Sequence, residues 1–108
     1  MAKKPEYNYK SLQTEYGKMP PQAVDLEEAI LGSLMLEKDA FITVSDFLKP
    51  ECFYKEAHQK IYRGIQNLSL NNEPVDILTV SEEMKRLGEL EEIGGYYYLA
   101  QLTSKVAS

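Results

Sequence analysis

One stretch of the chain, ECFYKEAHQKIYRGIQNLSL, repeats apolar residues at the spacing of a helix. Phe53, Ala57, Ile61 and Ile65 recur every four residues and Leu68 follows, while charged and polar side chains fill many of the positions between them. Residues three and four apart share one face of an α-helix, so the pattern predicts a long amphipathic helix with one buried stripe. The rest of the chain must supply the elements that cover this stripe.

Four other segments predict helices around it. PPQAVDLEEAILGSLMLEKD predicts a first helix, and DAFITVSDFLKP predicts a short second helix that Pro50 ends. Gly32 lies inside the first helix, where glycine is unfavourable, so we expect a neighbouring helix to pass close to it. VDILTVSEEMKRLG predicts a fourth helix, with Asp76 as its N-cap and Gly88 just beyond its end. GGYYYLAQLTSKV predicts a fifth.

The start of the segment that predicts the fourth helix, VDILTV, could instead form a strand, because it is rich in β-branched residues. A helix is favoured, since no other segment offers a partner strand. Before this segment, Asn71 or Asn72 can take the left-handed conformation that closes a helix, and Pro74 prevents the helix from resuming.

About five to six helices joined by short connections predict an all-α fold, a small compact bundle in one domain. The sequence of residues 1–19 has no helical pattern of apolar residues, so this segment is expected to form a flexible N-terminal tail. Tyr7, Tyr9 and Tyr16 could nevertheless dock on the folded part, residues 20–108. The predicted core side chains are Leu26, Ile30, Leu34, Phe41, Val44, Leu48, Phe53, Ala57, Ile61, Ile65, Leu68, Val80, Met84, Leu87, Leu99 and Leu102.

The sequence offers little for catalysis or metal binding. Cys52 is the only cysteine and His58 the only histidine, so an intramolecular disulfide is impossible and a zinc site is disfavoured. We expect His58 to be partly buried at the edge of the core.

The adjacent glutamates and the glycines also give no sign of a catalytic or nucleotide-binding site. The adjacent pairs are Glu27–Glu28, Glu82–Glu83 and Glu91–Glu92. Neighbouring helical residues point about 100° apart, so these pairs are expected to be solvated rather than to form catalytic dyads. No P-loop and no G-x-G-x-x-G motif occurs. The chain is therefore predicted to have no catalytic, cofactor or metal site of its own.

Charge is unevenly distributed along the chain. Residues 1–20 carry four lysines and two glutamates, whereas residues 21–108 carry eight basic and fifteen acidic side chains. Nucleic-acid affinity depends mainly on Lys and Arg contacts with phosphates, so strong DNA binding is not expected. No run of roughly 18 apolar residues suggests a membrane span, and the composition suggests a cytoplasmic protein.

The stretch ELEEIGGYYYLAQL could be a ligand loop, an aromatic platform for bases or the start of a helix. Its glutamates have the wrong sign for base stacking in a basic groove, which favours the helix. Tyr98 shares a stripe with Leu99 and Leu102 and is expected to pack, whereas Tyr97 points elsewhere. The three tyrosines, Tyr96, Tyr97 and Tyr98, are the candidate protein interface.

Three motifs follow one another along the chain: PPQAVDLEEAILGSLML, LKPECFYKEAHQKIYRGI and NEPVDILTVSEEMKRLGELEEIGGYYYLAQL. Together they resemble the N-terminal domain of the bacterial replicative DNA helicase, the DnaB family. The resemblance covers residues 20–102. It differs at Asn72, where the family often has glycine, and at Tyr96 and Tyr97, where smaller residues are common.

The resemblance implies a helical head domain of a hexameric, ATP-driven helicase, without the helical hairpin that follows the head in this family. It implies that paired subunits form a collar and that the partners are other copies of the helicase, the primase and a helicase loader. ATP and Mg would belong to a C-terminal RecA-like domain that this chain lacks. The isolated head is expected to be monomeric or weakly dimeric.

Three other functions compete with the one that the resemblance implies. One is the helicase-binding domain of a primase, which would lack the ordered motifs. Another is a stand-alone nucleic-acid-binding helical module, which the negative charge disfavours. The last is a small enzyme, which the sequence disfavours because it contains no recognisable set of catalytic residues.

Overall fold

The computed structural model describes residues 21–107, and it builds them from helices. The elements are α1 Pro21–Leu36, α2 Ala40–Val44, a 3₁₀ turn Pro50–Cys52, α3 Glu56–Leu70, α4 Ile77–Arg86 and α5 Gly95–Ala107. The predicted all-α fold is confirmed, and within residues 21–107 there is no strand, so the strand alternative for VDILTV is wrong. The predicted flexible tail, residues 1–19, lies outside the described residues and stays a prediction.

The core lies between α1, α3, α4 and α5. Its buried apolar side chains are Leu31, Leu34, Met35, Phe53, Ile61, Tyr62, Ile65, Leu68, Val80, Met84, Ile93, Leu99 and Leu102. Several of the other predicted core residues are only partly buried and pack against this cluster; these are Ile30, Phe41, Val44, Leu48 and Ala57.

Two predicted core residues are wrong, for different reasons. Leu26 is 56% exposed, because α1 turns Glu27, Leu31 and Leu34 inward and so leaves Leu26 one position off the buried face. Leu87 is 38% exposed, and it is the C-cap of α4 rather than a member of the last helical turn.

Phe53 is buried without being helical. The third helix begins at Glu56, later than the apolar stripe suggests, and Phe53 has an extended backbone after the 3₁₀ turn. Its ring centroid lies 5.2 Å from that of Tyr62, which lies 5.7 Å from that of Phe41. Through this row of rings, the connection between α2 and α3 packs against the core.

The ends of α4 follow the sequence signals. The Asp76 carboxylate accepts a hydrogen bond from the Thr79 N–H at 2.9 Å, and the Thr79 hydroxyl oxygen accepts one from the Asp76 N–H at 2.9 Å. The predicted N-cap is therefore confirmed as half of a reciprocal capping pair. Gly88 follows the helix with a φ of 75°, and Asn72 ends the preceding turn with a φ of 57°.

Gly32 marks the closest approach of α1 and α5, as its position predicts. A Cβ atom at Gly32 would collide with the backbone carbonyl oxygen of Leu102 and would lie 2.8 Å from Cγ2 of Val106. The missing side chain thus lets the last helix lie directly against the first.

Tyr62 makes the stability of the fold sensitive to alkaline pH. Its hydroxyl donates to the Leu48 carbonyl at 2.6 Å, and burial, with a smaller contribution from the nearby Cys52, raises its pKa from 10.0 to about 12. A pKa raised by folding means that the unfolded chain loses this proton first. The protonated Tyr62 hydroxyl therefore stabilises the folded state fully below pH 10, and this stabilisation is lost as the pH rises toward 12.

We expect this effect to remove about 1–2 kcal/mol from the free energy of unfolding at high pH. Urea denaturation at a series of pH values should show it. Tyr62→Phe, which has no proton to lose, should flatten the decline, while Tyr97→Phe should retain the wild-type decline. An equal slope for Tyr62→Phe and wild type would contradict the assignment.

Candidate functional site

A buried chain of hydrogen bonds joins α1, α3 and α5 at one end of the bundle. The Glu27 carboxylate accepts from Nδ1 of His58 at 2.6 Å, and Nε2 of His58 lies 2.6 Å from the Tyr98 hydroxyl. Glu27 and His58 are both fully buried. The His58 and Tyr98 rings are stacked with 5.9 Å between their centroids, so the contact is apolar as well as polar.

Glu27 also binds the start of α3. Its Oε2 accepts from the Tyr54 N–H at 2.6 Å, and its Oε1 accepts from the Lys55 N–H at 3.4 Å. Lys55 is the N-cap of α3 and makes no side-chain capping bond itself. A carboxylate from α1 therefore takes the place of a local cap at this helix end, where an anion is favoured by the helix dipole.

The hydrogen-bonding groups in this cluster of Glu27, His58 and Tyr98 are satisfied by other groups of the protein. Both His58 nitrogens have partners, and in residues 21–107 every fully buried side-chain nitrogen or oxygen makes a hydrogen bond. Since His58 has no exposed surface, a substrate could not reach it. Within the same range, no group of three or more acidic, His or Cys side chains could hold a metal ion.

The rim of the cluster is charged and half exposed. The Tyr98 hydroxyl also lies 3.3 Å from Oε2 of Glu28, and burial together with the Glu28 charge raises the pKa of Tyr98. Lys105 donates to Glu28 at 2.8 Å and to Asp25 at 3.0 Å, and these bonds raise the pKa of Lys105. The Lys55 ammonium lies 5.5 Å from the Tyr98 ring centroid. The rim therefore ties both ends of α5, through Tyr98 and Lys105, to the first half of α1.

The two glycines at the start of α5, Gly94 and Gly95, form a turn and do not offer a ligand loop. Gly94 and Gly95 have φ values of 111° and 73°, which side chains rarely adopt. Their N–H groups donate to the carbonyls of Glu91 at 3.1 Å and Leu90 at 2.8 Å. Because both donors are used within the chain, the helix-start interpretation of the sequence is the one that the geometry supports.

The three predicted interface tyrosines separate into two kinds. Tyr96 is 51% exposed and Tyr97 is 74% exposed, whereas Tyr98 is partly buried and its hydroxyl is bonded inside the domain. Glu91 and Glu92 are exposed just before them, so the surface is acidic and aromatic. The role of Tyr96 and Tyr97 in binding a protein stays a prediction.

Sequence analysis missed Glu27 and underestimated the burial of His58. Glu27 was expected to be solvated, and Glu83, also in an adjacent pair, is only 8% exposed because Arg86 and Asn67 bind its carboxylate. One signal was available for Glu27. It lies four residues before Leu31 and seven before Leu34, on the face that carries the apolar stripe.

The family model described as "DnaB-like helicase N terminal domain" matches residues 19–108. The chain belongs to this family. All three residues of the buried cluster lie within the matched range, so Glu27, His58 and Tyr98 are part of the DnaB-like N-terminal domain itself.

Curated relatives of this DnaB-like domain are much longer proteins. The replicative DNA helicase DnaB of Rhodothermus marinus is 47% identical over 98 residues, which cover 91% of this chain and 10% of the relative. That of Geobacillus stearothermophilus is 42% identical over 89 residues, covering 82% of this chain and 20% of the relative. The chain thus spans a tenth to a fifth of the relatives' length.

A solved structure agrees with the family assignment. The crystal structure of the N-terminal domain of DnaB helicase from Mycobacterium tuberculosis superimposes with a TM-score of 0.73 at 41% sequence identity. The match covers 81% of this chain and 62% of that chain. Among the described residues of this chain, no helix is long and apolar enough to cross a membrane.

Proposed function

We propose that this DnaB-like domain is an interaction and assembly module of a replicative DNA helicase, acting at the replication fork in the bacterial cytoplasm. It contributes to the collar of the helicase hexamer and helps to recruit the primase. A helicase loader is a further candidate partner. In this proposal the domain itself performs no catalysis and binds no cofactor.

The observation that carries the proposal is the family match over residues 19–108, combined with an exposed pair of tyrosines on α5. Exposed aromatic side chains supply contact area at low cost in conformational entropy and are enriched at protein interfaces. Tyr96 and Tyr97 stand on the helix that the buried cluster fixes to the bundle. They are therefore held on a rigid support, which favours binding without reorganisation.

The motor activity would belong to the part of the protein beyond this domain. The relatives are named replicative DNA helicases, and this chain corresponds to only 10–20% of their length. We assign ATP and Mg binding to a C-terminal RecA-like domain, as the resemblance implies. The net acidity of residues 21–108 supports a domain that binds protein rather than DNA.

The proposal predicts that Tyr97 contributes to primase binding. Titration calorimetry of this chain with the C-terminal domain of the primase from the same organism should show binding. Tyr97→Ala should weaken it by more than about fivefold, which corresponds to roughly 1 kcal/mol or more, the range of an important interface side chain. A wild-type chain that does not bind at all would contradict primase recruitment through this domain.

Leu78→Ala is the matched control. Leu78 is 60% exposed, like the tyrosines, but lies on α4 rather than α5. We expect Leu78→Ala to bind the primase domain as the wild type does. Equal binding by Tyr97→Ala and wild type would place the contact elsewhere and would exclude the α5 tyrosines as its centre.

A further inference from the structure

An apolar cleft lies between the end of α1, helix α2 and the loop that joins α3 to α4. It has a volume of 630 Å³, and Pro74 and Val75 line the part that the loop forms. On the helical side, Leu36 is 48% exposed and Ile42 is 67% exposed. Exposed apolar side chains around a concavity are typical of a surface that a partner covers. We call it the α1–α2 cleft.

The α1–α2 cleft is also acidic. Its charged wall residues are four carboxylates and one ammonium, those of Glu37, Asp39, Glu73, Asp76 and Lys38. Two of the carboxylates have partners in the domain. Asp76 is the N-cap of α4, and the charge of Glu73 contributes, after the bond with Glu83, to the raised pKa of Arg86. The charges of Glu37 and Asp39 remain.

Glu37 and Asp39 present their carboxylates to solvent. Both residues are exposed, and neither takes part in a salt bridge within residues 21–107. Asp39 is the N-cap of α2, yet its side chain makes no capping bond, and its backbone is left-handed with a φ of 67°. Aspartate tolerates that conformation, but glycine adopts it with less strain. The local backbone therefore does not require an aspartate here, whereas the carboxylate adds negative charge to the cleft.

We propose that the α1–α2 cleft binds a short segment of another protein that combines aliphatic anchors with lysine or arginine side chains. The anchors cover Leu36 and Ile42, and the cationic groups face Glu37 and Asp39. Complementary charge selects such a partner and speeds its approach, while burial of apolar surface supplies most of the affinity. Ligand clefts typically have volumes of about 300–1,000 Å³, so this one takes a few side chains rather than a folded domain. A nucleic acid, whose phosphates are anionic, does not fit a cleft of this sign.

Binding at the α1–α2 cleft is independent of the proposed function. The described wall residues belong to α1, α2, the end of α3 and the loop before α4, and none of them to α5, which carries Tyr96 and Tyr97. Primase binding through Tyr97 can therefore fail while the cleft binds its partner, and the reverse also holds. Tyr97→Ala should leave binding at the cleft unchanged.

An NMR titration of the full chain with a model peptide tests the proposal. The peptide alternates leucine with lysine, and a fluorescein-labelled copy gives its affinity by fluorescence anisotropy. The peptide should shift the amide signals of Leu36, Ile42 and Val75 more than those of α5, and salt should weaken its binding. A peptide with serine in place of leucine should bind at least about fivefold more weakly. No binding, shifts that are strongest outside the cleft, or equal affinity for the serine peptide would overturn the proposal.

Matched variants separate the α1–α2 cleft from the rest of the acidic surface. Glu37→Lys and Ile42→Ser should each weaken binding of the leucine–lysine peptide at least about fivefold. Glu91→Lys and Leu26→Ser make the same changes at exposed sites outside the cleft and should alter binding by less than about twofold. Asp39→Gly should weaken binding while the thermal midpoint of unfolding stays close to that of the wild type, because glycine fits the left-handed backbone.

Two results with these variants would overturn the proposal. Equal effects of the cleft variants and their controls would reject a specific site. Shifts at the cleft that grow with protein concentration in the absence of peptide would show that a second copy of this chain is the occupant.

Discussion

Replacing Glu27 with alanine is expected to lower the free energy of unfolding by about 3–5 kcal/mol, because several buried hydrogen-bond donors would each be left without an acceptor at a cost of about 1–3 kcal/mol. His58 would lose the acceptor of its Nδ1 proton, and the amides of Tyr54 and Lys55 would lose the carboxylate that caps α3. Glu27 and His58 have no exposed surface, so water cannot replace the missing oxygen atoms without opening the bundle. Denaturant unfolding followed by circular dichroism measures the loss.

Glu27→Gln keeps the shape and one carbonyl oxygen, so it should destabilise less than Glu27→Ala and remain folded. Glu82→Ala removes an exposed carboxylate from α4 and should change stability by less than about 0.5 kcal/mol. Because His58 and Glu27 act as a unit, the double variant with His58→Ala should be less destabilised than the sum of the single variants. Additive effects, or a loss for Glu27→Ala no larger than that for Glu82→Ala, would show that the cluster does not stabilise the domain.

The same cluster shows where single-sequence reasoning fails for this fold. Helical spacing places Leu26 on an apolar stripe with Ile30 and Leu34, and an acidic side chain in a first helical turn is typical of a solvated face, so the sequence alone predicts Leu26 in the core and Glu27 in solvent. Its partner His58 follows 31 residues later in the chain, and Tyr98, which is bonded to His58, follows 71 residues later. No local pattern reveals that pairing, because it exists only after α1, α3 and α5 have packed together.

Local signals were more informative because their physical cause is local. Asp76 caps α4 through the N–H of Thr79, three residues away, and Gly88 ends that helix with a positive φ. Asn72 has a φ of 57° in the turn where a left-handed residue is needed. Such features depend on backbone geometry within a few residues, so the sequence predicts them without knowledge of the fold.

The candidate interface was predictable only in part. Helical spacing placed Tyr98 on the apolar stripe and Tyr97 away from it, and Tyr97 is 74% exposed in the structure. The bonds of the Tyr98 hydroxyl to His58 and Glu28 could not be foreseen, because they join residues from three helices. Which protein touches Tyr97 is a question of binding, and the calorimetric comparison of Tyr97→Ala with Leu78→Ala addresses it.

Gly32→Ala is expected to lower the free energy of unfolding by about 3 kcal/mol, at the upper end of the usual cost of overpacking. Alanine is more favourable than glycine in a helix interior by about 1 kcal/mol, so helix propensity alone predicts that Gly32→Ala raises the free energy of unfolding. The steric effect dominates because the new Cβ would collide with the backbone oxygen of Leu102, and a backbone oxygen cannot rotate away. Helix α5 would have to shift as a whole, and its contacts through Leu99 and Leu102 would loosen.

Gly64→Ala is the matched comparison, since Gly64 is also a buried helical glycine. A Cβ there would lie 2.8 Å from the sulfur of Met84, which sits near the end of a flexible side chain. Methionine can change rotamer to make room, so we expect Gly64→Ala to change the unfolding free energy by no more than about 1 kcal/mol. Thermal and urea unfolding of both variants would measure the difference. A loss for Gly64→Ala as large as that for Gly32→Ala would show that glycine is needed for backbone reasons at both sites, and that the α1–α5 contact is not the cause.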